Sequence, residues 1–154
     1  MIRTGFGTDV HLFTDDPGRH LVLGGFPIAG HHGVEADSDG DVVLHALCNA
    51  LSSAIGGKSM GFYVNEMCRS GIHDSARYID LIMGTVAKGG FKVTNVAIAI
   101  ECVTPRIDPL IDPMKATIGK LLRLEPSSIG ITATQGDRHE DRIRTYAVVT
   151  VTNE

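Results

Sequence analysis

Pairs of glycine residues divide this chain of 154 residues into short segments, and this division constrains the fold more than any other feature of the sequence. Gly24-Gly25 separates two short apolar runs, residues 21–23 and 26–28, and therefore predicts a β-hairpin. Gly56-Gly57 and Gly89-Gly90 each follow a stretch with helical periodicity and are expected to end a helix. The 18 glycines are scattered rather than clustered, so they indicate tight turns and not disorder.

The segments between these turns alternate between strand and helix patterns. Strands are predicted over residues 2–13, 92–102, 129–134 and 142–152. Helices are predicted over residues 42–55, 75–88 and about 112–122. Residues 30–41 form a polar, glycine-rich segment, and residues 58–71 carry no clear pattern, so both are expected to be loops. The chain is therefore expected to form one α+β domain, residues 1–154, in which helices cover one face of a mixed β-sheet.

Charge and composition argue against several classes of protein. The net charge is −4, there is no Trp and only 5% of the residues are aromatic, so we expect no nucleic-acid partner. The three cysteines include no Cys-x-x-Cys pair, which favours a reducing compartment. Residues 1–7 hold no apolar run of signal-peptide length, and residues 96–100 are too few to span a membrane. We therefore expect a cytoplasmic protein (or a plastid-like location in a eukaryote) with no membrane partner.

The Asp9-Val10-His11 motif is the first candidate for chemistry. Residues two apart on a strand point to the same face, so the carboxylate and the imidazole could reach one ion together. These two donor types suit Zn²⁺ or a similar divalent metal. The motif is short, however, and a hydrogen-bonded surface pair explains it equally well.

An acidic run precedes the first predicted helix and leads to a second histidine. Asp37, Asp39 and Asp41 lie within five residues, and His45 follows one helical turn later. The simplest interpretation is structural: Ser38 caps the helix, and the acids favour its positive end. His45 lies off the apolar stripe of that helix and could supply a third metal ligand. Three protein ligands with an open fourth position are typical of a catalytic metal site.

Two further segments suit a phosphorylated nucleotide substrate. Residues 131–138 place hydroxyl side chains and a turn at a strand end, where they could hold phosphate oxygens, followed by Asp137, which could bind Mg²⁺. Residues 104–109 form a proline-rich loop whose backbone could face a base. Each segment is also explained as an ordinary connection between elements.

Taken together, these motifs resemble the 2-C-methyl-D-erythritol 2,4-cyclodiphosphate synthase family over essentially the whole chain. The resemblance rests on motifs in the same order: Asp9-Val10-His11, Gly24-Gly25, Ser38-Asp39-Gly40-Asp41-Val42 with His45, Pro105-Arg106 and Thr132-Ala133-Thr134. It implies a homotrimer with active sites between neighbouring subunits. It also implies conversion of 4-diphosphocytidyl-2-C-methyl-D-erythritol 2-phosphate into 2-C-methyl-D-erythritol 2,4-cyclodiphosphate and CMP, a step of non-mevalonate isoprenoid biosynthesis.

The resemblance also assigns roles to individual residues. Asp9, His11 and His45 fall on the family's zinc ligands, and Asp137 falls where the family has an acid that binds Mg²⁺ or Mn²⁺ with the substrate diphosphate. Arg144 falls near an arginine that lines the trimer centre. Contacts with the cytidine diphosphate substrate are expected from Asp9, Val10, His11, Asp37, Ser38, Ser59, Met60, Gly61, Thr104, Pro105, Arg106, Ile107, Ala133, Thr134, Gln135 and Arg144.

Three positions depart from the family's usual pattern. Asp37 stands where most members have a histidine that acts in catalysis, and Gln135 stands at another catalytic position, where its amide can still donate a hydrogen bond. Ser59 lies in a segment that lacks the family's usual acid. The sequence therefore leaves open a non-catalytic trimer that binds metal with a nucleotide or an isoprenoid. An unrelated zinc phosphohydrolase is a weaker alternative.

Overall fold

A computed structural model describes residues 1–153 as one α+β unit. Its strands are β1 (Ile2–Leu12), β2 (His20–Leu23), β3 (Phe26–His32), β4 (Lys92–Glu101), β5 (Ile129–Thr134) and β6 (Arg142–Thr152). Its helices are α1 (Val42–Ala54), α2 (Met60–Arg69), α3 (Ser75–Lys88) and α4 (Ile111–Leu122). Short 3₁₀ turns lie at Asp108–Leu110 and Pro126–Ser128. No helix within residues 1–153 is both long and apolar enough to cross a membrane.

The main sheet is mixed, as the sequence predicted. Its strand order is β1-β6-β4-β5, in which β6 runs antiparallel to β1 and β4, and β4 runs parallel to β5. The parallel pair is connected through α4, because parallel neighbours need a long crossover. The predicted hairpin at Gly24-Gly25 is confirmed as the separate pair β2-β3.

Two glycines in β1 let helix α1 pack directly on the sheet. A Cβ atom at Gly5 would lie 2.0 Å from the Ala50 carbonyl oxygen, and one at Gly7 would lie 2.2 Å from the Ala46 carbonyl oxygen. No larger side chain fits at such distances unless the backbone moves. The two glycines therefore set the close approach of β1 and α1, the elements that carry the histidine and carboxylate motifs.

Two local predictions were wrong. Residues 58–71 are not a loop, because α2 occupies Met60–Arg69. Only Val64 is fully buried, but the apolar residues of this helix recur at helical spacing, a signal that the sequence prediction overlooked: Met60, Tyr63, Val64 and Met67. The cap of α1 is Asp41 rather than Ser38: the Asp41 carboxylate accepts a hydrogen bond from the Leu44 amide.

Candidate metal centre

Asp9, His11 and His45 converge as the sequence predicted. The Asp9 Oδ2 atom lies 2.9 Å from His11 Nε2 and 3.0 Å from His45 Nδ1. The two ring nitrogens lie 3.4 Å apart. Within residues 1–153 these three side chains form the one group whose carboxylate and histidine donor atoms all lie within 4.8 Å of one another.

The backbone explains why these side chains meet. Burial alternates along β1, so Gly7, Asp9 and His11 share the face that α1 covers. Because Gly7 lets α1 pack closely, His45 on that helix reaches the same point and is only 4% exposed. Asp9 and His11 lie at the end of this contact and keep partial access to solvent.

The electrostatics of the cluster suit a cation. Burial by itself would raise the pKa of Asp9, but hydrogen bonds and charge interactions with His11 and His45 outweigh it and hold the pKa at about 2. The hydrogen bond to Asp9 raises the pKa of His11, although burial opposes part of that rise. Asp9 is therefore an anion at neutral pH, and a proton on His11 occupies the place that a metal would take.

The donor set fits a zinc-type ion. One carboxylate and two imidazoles are typical ligands of Zn²⁺ in a site that keeps further positions for substrate or water. Thr145, which pairs with Asp9 across β1 and β6, supplies a second observation. Its hydroxyl is the one buried side-chain polar atom of residues 1–153 without a hydrogen-bond partner. Such an atom beside the cluster is expected where a bound group or an ordered water completes the site.

Asp41 anchors the loop next to the metal cluster. Its carboxylate is fully buried and accepts hydrogen bonds from the amides of Gly24, Gly25 and Leu44. Burial raises the pKa of Asp41 to about 6, against the opposing effect of these amides. One side chain thus ties the β2-β3 turn to the start of α1. The role is structural, as the simpler interpretation of the acidic run proposed.

Most residues predicted to contact the nucleotide lie together in a second candidate site, a pocket that is separate from the metal cluster. This pocket has a volume of about 230 Å³ and lies between the end of β5 and the loop after β4. Of the predicted substrate residues it contains Pro105, Arg106, Ile107, Ala133, Thr134 and Gln135. Thr104 borders the same loop, where its hydroxyl lies 3.0 Å from His31 Nε2. None of the three metal-cluster residues lines this pocket.

Other predicted residues lie in separate places. Arg144 shares a third depression with Asp9 and Val10, and its guanidinium donates a hydrogen bond to the Tyr146 hydroxyl, which raises the pKa of Arg144. Asp37 is exposed, and its backbone carbonyl oxygen lies 3.7 Å from the Cys68 thiol. Asp137 is exposed in the loop before β6.

Ser59, Met60 and Gly61 mark the start of α2, and the Met60 amide donates a hydrogen bond to the Asn49 side chain. That bond links the segment to α1. The sequence predicted a loop for these three residues, whereas the structure places them at the start of a helix.

Comparison with known proteins identifies the family to which this chain belongs. The model of the YgbB family matches residues 2–152. The chain belongs to the YgbB family. It is 40% identical over 140 residues to a 2-C-methyl-D-erythritol 2,4-cyclodiphosphate synthase of Chlamydia muridarum, covering 89% of this chain and 78% of the relative. The Symbiobacterium thermophilum enzyme of the same name is 36% identical over 154 residues, with 96% of each chain covered.

Solved structures agree with this YgbB assignment. A structure of 2C-methyl-D-erythritol-2,4-cyclodiphosphate synthase in a CDP-bound form superposes with a TM-score of 0.88 at 28% identity. The match covers 97% of this chain and 100% of the other. The YgbB fold therefore extends through all the elements that carry the metal cluster and the second pocket.

Two residues around the candidate metal cluster were missed as functional candidates in the sequence analysis. Ser75 Oγ lies 2.8 Å from His45 Nε2, at the first residue of α3, a helix that Asp74 caps. Arg19 donates hydrogen bonds to the carbonyl oxygens of Val34 and Ser38 and so holds the loop before α1. Neither contact could be predicted, because each joins segments that are distant in sequence.

Proposed function

We propose that this chain converts 4-diphosphocytidyl-2-C-methyl-D-erythritol 2-phosphate into 2-C-methyl-D-erythritol 2,4-cyclodiphosphate and CMP. The observation that carries the proposal is the convergence of Asp9, His11 and His45 in a chain whose relatives bear that enzyme's name. The product would serve isoprenoid biosynthesis, and we place the reaction in the cytoplasm.

Zinc, or a similar divalent metal, is the proposed occupant of the cluster. When bound, such an ion supplies positive charge that screens the repulsion between the two phosphates of the substrate. Asp9, His11 and His45 would hold it, and the open side of the cluster would face the substrate. Asp137 is proposed to bind a second ion, Mg²⁺ or Mn²⁺, together with the diphosphate.

The reaction needs no covalent enzyme intermediate. An oxygen of the 2-phosphate forms a bond to the β-phosphorus, and the bond from that phosphorus to the bridging oxygen breaks, so that CMP leaves with the oxygen. Holding the two groups in reactive geometry can contribute up to roughly 7–11 kcal/mol in the best intramolecular cases. The residues therefore act mainly by positioning the substrate. Ser38, the Asp37 loop and the backbone at Thr134 and Gln135 are proposed to orient the phosphates.

The second pocket is proposed to bind the cytidine. Arg106 and Ile107 lie on the loop that forms one wall, and Ala133 to Gln135 form the other. Within one chain this pocket and the metal cluster have separate linings. The proposed homotrimer resolves that separation, because the pocket of one subunit can then adjoin the cluster of its neighbour.

The uncovered face of the main sheet supports the homotrimer. Phe6, Val10 and Val148 lie on this face and are 56%, 41% and 37% exposed. Phe6 also stacks with Tyr146, with ring centroids 6.5 Å apart. A sheet face with several exposed apolar side chains is typical of an interface. Sedimentation of the native chain and of Val148→Asp tests this point: we expect a trimer and a smaller species, respectively.

The decisive test of the activity is product analysis. The purified chain, loaded with Zn²⁺ and Mg²⁺, is incubated with the cytidylyl substrate, and phosphorus NMR follows the products. We expect CMP and the cyclic diphosphate in equal amounts. Release of inorganic phosphate instead would identify a phosphohydrolase, and metal-loaded protein that releases no CMP would refute the proposed reaction.

The exposed carboxylate of Asp37 favours a second candidate function. An additional anion near two phosphates is unfavourable unless it points away from them, and Ser59 lies in a segment where the family resemblance implies an acid. A non-catalytic trimer that binds metal with a nucleotide or an isoprenoid would fit these changes. Tight CMP binding by metal-loaded protein without turnover would favour this candidate.

A further inference from the structure

The second ring nitrogen of His45 lies in a buried hydrogen-bonded cluster behind the metal ligands. His45 Nε2 lies 2.8 Å from the hydroxyl of Ser75 and 3.3 Å from the hydroxyl of Ser38. Ser75 is fully buried at the first residue of α3, and Ser38 is 7% exposed. Water therefore has little access to this side of the imidazole, and its partners come from the protein.

The direction of these hydrogen bonds follows from Asp39. Its Oδ1 atom lies 2.5 Å from Ser75 Oγ, and its Oδ2 atom accepts a hydrogen bond of 2.9 Å from the Ser75 amide. A carboxylate only accepts, so the single hydroxyl hydrogen of Ser75 is donated to Asp39. Ser75 Oγ can then only accept from His45, so the Nε2 atom of His45 must carry a hydrogen.

A hydrogen on Nε2 leaves Nδ1 as the ring nitrogen that can bind a metal. Nδ1 is the atom that lies 3.0 Å from Asp9 Oδ2 and 3.4 Å from His11 Nε2, on the side where a metal would bind. A metal ligand whose other ring nitrogen donates to a fixed acceptor is held in both tautomer and ring orientation. The hydrogen-bonded series Asp39–Ser75–His45 has this arrangement.

We propose that Ser75 and Asp39 are positioning residues that fix His45 as an Nδ1 ligand. This inference rests on the proposed metal function. It gives the loop before α1 and the start of α3 one shared role, because both hold a ligand that lies on α1. Asp39 also accepts from the Asp41 amide at 3.1 Å, so its own orientation is fixed by the loop that carries it.

Metal affinity tests the proposal without any measurement of turnover. Ser75→Ala removes the acceptor for Nε2–H, and we expect the dissociation constant for Co²⁺ to rise about 10- to 100-fold, the usual effect of losing such a partner. Ser75→Thr retains the hydroxyl and should restore most of the affinity. The matched control is Ser52→Ala, because Ser52 is a buried serine of α1 whose hydroxyl donates to the Lys58 carbonyl oxygen, away from His45.

A purely structural role for Ser75 predicts a different result. In that case Ser75→Ala would lower the stability to urea, while the folded variant would bind Co²⁺ as tightly as the native chain. Such a result would overturn the proposal. Competition with a chromophoric chelator gives the dissociation constant, and the visible spectrum of bound Co²⁺ reports any change of ligand geometry.

The tautomer of His45 in the native, metal-free protein gives a test that needs no variant to fold. Nitrogen-15 NMR should show a hydrogen on the Nε2 atom of His45. An Nε2 atom without a hydrogen would refute the arrangement directly. A native chain that binds no Co²⁺ would contradict the proposed metal function, and the NMR result would still decide whether Ser75 and Asp39 orient the ring.

Discussion

The candidate metal cluster and the proposed nucleotide pocket differ in how completely one chain builds them. Asp9, His11 and His45 have their donor atoms within 4.8 Å, and buried hydrogen bonds hold the ring of His45 from behind. In the pocket, by contrast, Arg106 and Gln135 are exposed. The comparison teaches that one chain brings the three proposed metal ligands together and holds them from behind, whereas it leaves the proposed nucleotide pocket open to solvent.

The largest effect is expected from His45→Ala. This change removes the most buried of the proposed ligands, so Co²⁺ or Zn²⁺ affinity should fall at least about 100-fold while the proposed trimer persists. Metal content after dialysis and sedimentation measure the two properties separately. His139→Ala, which removes an exposed histidine in the loop before β6, is the control and should retain the metal. Stoichiometric zinc in His45→Ala would exclude the ligand assignment.

The second largest effect is expected from Gly7→Ala, which disturbs the packing that brings the proposed ligands together. In Gly7→Ala the new Cβ would lie 2.2 Å from the Ala46 carbonyl oxygen, so β1 and α1 must separate. We expect a loss of roughly 2–3 kcal/mol in the free energy of unfolding, measured with urea, and weaker Co²⁺ binding. Nucleotide affinity should change less, since the pocket lies on other elements.

Gly130→Ala is the matched control for this strand glycine. A Cβ there meets only the Val96 carbonyl oxygen, at 3.9 Å, and we expect a change within about 0.5 kcal/mol. Equal destabilisation of both variants would show that the close approach at Gly7 is not what holds the metal cluster together.

Lower pH should weaken the metal site of the native chain by about tenfold per pH unit. A metal needs His11 unprotonated, and the Asp9 hydrogen bond raises the pKa of His11 above 6.5, so proton competition begins above that value as the pH falls. Asp9, with a pKa of about 2, stays ionised and adds no loss above about pH 3. Co²⁺ titrations between pH 5 and 8 measure this slope. A Co²⁺ affinity that stays constant across that range would contradict it.

The smallest effect is expected from Asp37→His. Removing a carboxylate near two phosphates should leave kcat/KM for CMP release unchanged or raise it a few-fold, and metal affinity should not change. Asp80→His makes the same charge change at an exposed position of α3 and serves as the control. A large loss of turnover in Asp37→His alone would show that this carboxylate has a positive role in the reaction.

Much of the fold could be predicted because the relevant signals are local. Glycine pairs marked the hairpin and two helix ends, and alternation with β-branched residues marked β4. Helix α2 was missed although Met60, Tyr63, Val64 and Met67 recur at helical spacing, so this error came from an overlooked signal and not from an absent one. The cap at Asp41 was misassigned to Ser38, since several residues of that loop can cap a helix equally well.

The candidate site, like the fold, could be predicted only in part from the sequence. Asp9 and His11 could be paired from strand geometry alone, and His45 was added because of its place one turn after the acidic run. The contact of Ser75 with His45 spans 30 residues of sequence, and only the packing of α3 against α1 creates it. The positions of Arg106 and Gln135 in one pocket likewise follow from the parallel pairing of β4 and β5.

Anomalous diffraction from zinc-loaded crystals tests the central claim most directly. The account predicts one strong zinc peak per chain, about 2.0–2.2 Å from Asp9 Oδ2, His11 Nε2 and His45 Nδ1. A zinc ion held by other side chains, or the three residues separated around an empty cluster, would contradict it.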